Sequence, residues 1–296
     1  MAYFNDFDGN MNFFYAFFRF VAYVWNKRRV GEMGVVQTAE WMRTHYQEPE
    51  KICEKFTKYI PLQKETLYRF LVSKGMFRPV AGGEKEIDIL QKERVWERLA
   101  VEYKKLQEWL EGPNIPVFIL LSDPYNRTVQ REYNGKAGLA MRNALFLFVN
   151  SQSSIAELKA LLTHEYHHIC RIHANERREE AYTILDTMVM EGLAEHAVFE
   201  RHGESYYAPW VSYYEKEEAI MFWRRFIQDK QEIERGTREH DILLNGRGLF
   251  YPKMLGYAVG FHIVKDCVEH KKWNTTSLLG MDAKAILEEA LSFSPV

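Results

Sequence analysis

Apolar residues recur every three or four positions through "TAEWMRTHYQEPEKICEKFTKYI" (38–60) and "LQKERVWERLAVEYKKLQEWL" (90–110). That spacing collects them on one face of a helix. Residues 36 to 112 therefore read as several helices, broken at Pro49 and around "GGE" (82–84). The pattern then changes to continuous apolar runs. In "GPNIPVFILLSDP" (112–124) Pro116 leads a β-branched run closed by Asp123 and Pro124, which predicts a buried strand, and "NALFLFVN" (143–150) predicts a second. The turn-rich "YNGKAGLAMR" (133–142) between them reads as the entry to an edge segment.

Helical spacing resumes in "SSIAELKALLTHEYHHICRIHA" (153–174), with apolar residues at 155, 158, 161, 162, 169 and 172. Ser154 and Glu157 stand in the S-x-x-E order of a capping box, which predicts the helix start. "NE" (175–176) interrupts, and "RREEAYTILDTMVMEGLAEHAVFERHG" (177–203) predicts another helix, closed by Gly203. No repeat, low-complexity tract or Pro/Gly/Ser-rich linker divides the chain. The expected fold class is α+β and mostly helical. A single domain is expected over 33–296, with a helical front at 33–112, a sheet at 113–150 and helices over 151–296.

Residues 1–32 form a separate expectation, an N-terminal extension carrying an apolar helix. Its core, "MNFFYAFFRFVAYVW" (11–25), follows Asp6 and Asp8 rather than basic residues and is interrupted by Arg19. It is no secretory signal of the usual kind, and it is too short to span a bilayer. A core or interface helix is the plain reading, and a membrane-surface anchor the alternative.

Composition narrows the class of partner. The 296 residues are 47% hydrophobic, enough for a sizeable core, and 39 Lys and Arg against 41 Asp and Glu leave a net charge of −2. No long basic run follows, so nucleic acid is not expected as a partner. The three cysteines, Cys53, Cys170 and Cys267, are widely spaced and form no C-x-x-C pair. That argues against a disulfide framework or a thiolate metal site and predicts a cytoplasmic protein without a transmembrane segment. Oligomeric state has no signature in the sequence.

The chemistry concentrates at "LLTHEYHHIC" (161–170). His164, Glu165 and His168 match H-E-x-x-H. Four helical residues advance about 400°, so the two imidazoles point the same way one turn apart and can grip one ion. Glu165, adjacent to the first histidine, stays near the ion without binding it and can serve as general base. A hydrolytic zinc site needs a third protein ligand. "MEGLAEH" (190–196) on the next predicted helix offers Glu191, with Glu195 one turn further on as the acceptor for a ring N–H of His164. Burying these groups without a cation would be costly, which favours a metal site over mutually satisfied core polar residues. Glu165 favours zinc over an iron centre held by two histidines and a carboxylate. His167, about 60° around the helix from His164, borders the site and reads either as packing or as a partner that supports the ligands, and Cys170 reads as a small core residue.

These segments resemble the gluzincins, zinc peptidases with a glutamate ligand on the helix after H-E-x-x-H. The chain is also similar, over about residues 33–296, to the YjaZ-type family of bacterial predicted zinc-dependent proteases. The likeness is carried by "MGVVQTAEWMRTHYQEPEKICEKF" (33–56), "HEYHHICR" (164–171), "EGLAEH" (191–196) and "GYAVGFHIVKDCVE" (256–269). The resemblance implies a zincin-like catalytic domain, with a small mixed sheet over the H-E-x-x-H helix, that hydrolyses peptide or protein substrates. It implies His164, His168 and Glu191 as zinc ligands and Glu165 as base and proton shuttle. It also implies an edge strand in "GKAGLAMRNALFLFV" (135–149) that pairs with an extended substrate, Gly138 and Ala140 being small enough to let a peptide approach. Gluzincins commonly take an oxyanion donor from a Tyr or His in the C-terminal half. Tyr257, between Gly256 and Gly260, is the candidate here, with His240 and Arg247 in reserve. Residues 1–32 fall outside the resemblance and read either as an added interaction helix or as sequence upstream of the physiological start.

Two other functions remain open on sequence alone. One is a zinc-dependent hydrolase of a small amide or a modified terminus, which the same ion and base would serve. The other is a non-catalytic binding protein that keeps zinc for stability.

Overall fold

Backbone that leaves water must pair its N–H and C=O groups, and the apolar runs do so in one sheet. The structure, a computed structural model, describes residues 33–175 and 179–294, so the apolar helix expected within 1–32 lies outside the described residues. Four strands, β1 (Gly34–Val36), β2 (Pro116–Leu121), β3 (Ala137–Met141) and β4 (Ala144–Val149), lie in the order β1-β2-β4-β3. β1 and β4 run parallel to β2, and β3 runs antiparallel to β4, which makes the sheet mixed. Every residue of β2 and β4 is buried, as expected of central strands covered on both faces. The expected strands and edge segment are therefore present.

β1 is an addition to the sequence reading. It has three residues and is recognised only by its pairing, Val35 opposite Val117.

The described residues fall into two compact units, one ending at Ile169 and the other beginning at Cys170. In the first unit, α1 (Ala39–His45), α2 (Pro49–Cys53), α3 (Lys64–Lys74), α4 (Glu84–Lys92) and α5 (Val95–Leu110) precede β2, and α6 (Arg127–Glu132) precedes β3. Pro49 opens α2 in the first turn, where its missing N–H has no partner to lose, and α4 begins just after Gly82 and Gly83. One face of the sheet carries an aromatic core. Phe118 and Phe146 are register partners with rings 5.1 Å apart, and Phe56 packs on both at 4.7 and 5.1 Å. Alternation turns Ile119 and Leu147 to the opposite face.

The next helix, α7 (Ile155–Ala174), starts where the capping box predicts. The Ser154 N–H donates to Glu157 Oε2 at 2.9 Å, and the Glu157 N–H donates to Ser154 Oγ at 3.3 Å. Glu157 Oε1 also accepts from Asn134 and Lys136, each at 2.9 Å, which ties the start of α7 to the turn entering β3.

The second unit is helical. It contains α8 (Ile184–His202), α9 (Lys216–Phe222) running into a π-turn at Trp223–Ile227, α10 (Arg238–Asn245), α11 (Leu255–Lys271), α12 (Thr275–Leu278) and α13 (Ala283–Glu289). α8 ends at Gly203 as expected, but it begins at Ile184 instead of near 177. The backbone of Tyr182 to Ile184 is drawn into extended pairing with Ile233 and Arg235. Thr183 and Asp186 then cap the helix reciprocally. Arg171 is buried and donates to the carbonyls of Leu278, Leu279 and Met281, satisfying acceptors left over at the end of α12. Among the described residues no helix is long and apolar enough to cross a membrane.

Candidate metal centre

α7 sorts its polar residues by face. Tyr166 and His167 are 0% exposed, whereas His164 and His168 keep 7% and 5%. The Tyr166 phenol donates to the Pro113 carbonyl at 2.9 Å, and its ring meets the edge of Tyr103 at 5.1 Å. The inner face of the helix is thereby fixed ahead of β2, and the two histidines one turn apart share the other face. His167 lies on the buried side.

His164 Nε2 and His168 Nε2 stand 3.0 Å apart, with the rings nearly perpendicular. Two imidazole lone pairs this close need a proton or a cation between them. Glu191, on α8, is 4% exposed. His164, His168 and Glu191 each offer a ligand atom, and these atoms all lie within 4.8 Å of one another.

The donor set fits zinc. Two neutral nitrogens and one carboxylate oxygen suit its borderline character, and a tetrahedral zinc with bonds near 2.0–2.2 Å holds its ligand atoms roughly 3.4 Å apart. The three groups thus span a space of the right size for one ion.

Glu165 is 3% exposed and lies against the sheet. The three heavy atoms nearest to where a Cβ on Gly138 would stand are its Cγ, Cδ and Oε1, all so close that a side chain there would displace them. Gly138 pairs with Leu147, so Glu165 lies over the face opposite Phe118 and Phe146. This corrects the reading of Gly138 as an opening for a peptide, because the space a side chain would fill there belongs to Glu165. A glycine inside a strand, which costs about 0.5–1 kcal/mol relative to alanine, was the one sequence signal of such an approach.

Around Glu191, α8 and α11 cross on glycines. A Cβ on Gly192 would collide with the Gly260 carbonyl, and one on Gly260 with the backbone of Met188. Gly256 does meet a neighbouring helix, α10, at Leu244. Tyr257 is 5% exposed, with its ring 5.4 Å from that of Trp210. Glu195 is buried and accepts the Ala208 N–H at 2.8 Å, a partner the sequence did not reveal. His240, on α10, places Nε2 3.0 Å from the Thr187 hydroxyl, one turn before Glu191, and Arg247 is half-buried just beyond the end of α10.

Comparison with known proteins adds the family. A family model described as "Predicted Zn-dependent protease (DUF2268)" matches residues 95–288, well over half of the chain. The chain belongs to this family. The matched span includes His164, Glu165, His168, Glu191 and Tyr257, and it takes in β2, β3 and β4. Among relatives, the uncharacterized protein YjaZ of Bacillus subtilis (strain 168) is 34% identical over 267 residues, covering 88% of this chain and all of that protein. The uncharacterized protein YjfC of the same organism is 24% identical over 235 residues, covering 73% of this chain and 77% of its own length. No solved structure matches the chain.

Proposed function

We propose that this chain is a zinc-dependent peptidase, with His164, His168 and Glu191 holding the ion and Glu165 acting as general base. The observation that carries the reading is the convergence of the three ligand atoms within 4.8 Å, on helical spacing that sets Glu165 beside the first of them. Bound there, zinc supplies Lewis acidity that polarises a peptide carbonyl and acidifies water. Glu165 accepts the proton of the attacking water at a carboxylate oxygen and hands it to the leaving amine nitrogen. Being buried, that carboxylate works where water screens charge weakly.

An antiparallel outer strand beside Glu165 supports a zincin-like arrangement, with residues 33–296 working as one peptidase domain. An extended peptide adding to the outer strand, β3, would bring its backbone close to this carboxylate. Tyr257 is the proposed oxyanion donor, with His240 and Arg247 behind it, and Glu195 the proposed acceptor for a ring N–H of His164. The three cysteines, widely spaced in the sequence and all buried, support a reducing, cytoplasmic setting.

Metal analysis beside peptide cleavage tests the proposal. The protein should carry about one zinc per chain and cleave peptides until a chelator is added. Glu165→Gln should keep the zinc and lose turnover by about 10²-fold or more. Full turnover in that variant would remove Glu165 from the chemistry.

A further inference from the structure

Gly138 is the middle of a five-residue strand, and its backbone is outside the left-handed region, so nothing in its own conformation demands glycine. A strand at such a place gains from a side chain. What excludes one is Glu165, which supplies all three of the atoms nearest to the missing Cβ.

We propose that Gly138 is a positioning residue for Glu165. Its bare Cα forms the seat against which the carboxylate is held, and it fixes the distance between the base and the strand. The inference rests on the peptidase reading only for its catalytic consequence, because the contact itself involves the protein alone. Along α7 the glutamate has its backbone fixed by the helix, leaving the χ angles of Glu165 to decide where its oxygens lie. A methyl group on Gly138 would push Cγ and Cδ together off their place and swing the carboxylate away. The ligand histidines sit at other positions of the helix face and would keep their approach to each other.

The test is a double-mutant cycle with two readouts. In the otherwise native chain, Gly138→Ala should lower kcat at least tenfold with KM changed less than threefold and zinc content unchanged, and it should lower Tm. In a Glu165→Ala background the colliding atoms are gone, and the same Gly138→Ala change should leave Tm unchanged or raise it, as alanine for glycine in a strand does. This reversal of sign in Tm is independent of any turnover. A chain with no peptidase activity but with the reversal would sink the peptidase reading and keep the seat. The seat is overturned if Gly138→Ala shifts Tm equally in both backgrounds, or if it leaves both kcat and Tm of the native chain unchanged. Ala140→Gly, which removes a methyl two positions along the same strand, is the comparison variant and should not show the coupling with Glu165.

Discussion

Glu157 shows how one side chain can set the direction of the helix that carries the histidines. Burial by itself would raise its pKa, but hydrogen bonds from Lys136, Asn134 and Ser154 outweigh that and bring it down to about 2 from an ordinary 4.5. A carboxylate whose folded pKa is depressed stabilises the fold fully above its unfolded pKa, and the contribution is lost as pH falls through the folded value. Glu157→Gln keeps the shape and part of the capping box while removing the charge. Allowing for its partial exposure, the variant should lose about 1–2 kcal/mol at pH 7. In denaturant titrations the gap between native chain and variant should narrow between pH 4.5 and pH 2, and a gap constant over that range would refute the charge argument. Residues such as His164, His168 and Ser154 were legible because their partners lie three or four positions away on one helix. Gly138 was misread because its partner is 27 positions on (165 − 138), in a different element, and spacing along the chain carries no trace of it.

Elements were legible to the extent that they were long and locally specified. Full burial of β2 and β4 follows from their unbroken apolar runs, and α7 begins at its sequence-encoded cap. β1 could not be read, since its three residues acquire meaning only beside β2, 82 positions on (117 − 35). The start of α8 was placed too early because the extended pairing of Tyr182 to Ile184 overrides the helical propensity of the preceding segment. The crossing of α8 and α11 makes a prediction at this scale. At Gly260 the colliding partner is the Met188 backbone, which cannot rotate away as a side chain can. Gly260→Ala must therefore push the helices apart, costing about 1–3 kcal/mol despite the better helix propensity of alanine. Glu191 follows Met188 by less than one turn, so zinc affinity should fall as well. A thermal scan and a competitive zinc titration would check this together. An unchanged Tm would mean that the crossing relaxes freely.

For the molecule as a whole, the mostly helical α+β character with a small mixed sheet was legible from the alternation of helical spacing and continuous apolar runs. The order of its strands was not, because order is set by long-range pairing. The proposed site would join ligands from two helices, the second 23 positions beyond the first pair (191 − 168), so zinc binding should register on global stability and not only on local order. An unfolded chain cannot bring those three groups together, and a ligand that binds only the native state stabilises it by RT ln(1 + [L]/Kd). Free zinc buffered at about 100 times Kd should add roughly 2.7 kcal/mol. For a chain of 296 residues that corresponds to a rise of about 4 °C in Tm. His168→Ala removes one ligand and should abolish most of the increment, whereas Glu165→Gln, which leaves the ligands intact, should retain it. Equal Tm values with buffered zinc and with a chelator would mean that the two imidazoles and the carboxylate are held together by protons and packing, and that their convergence is not a metal centre.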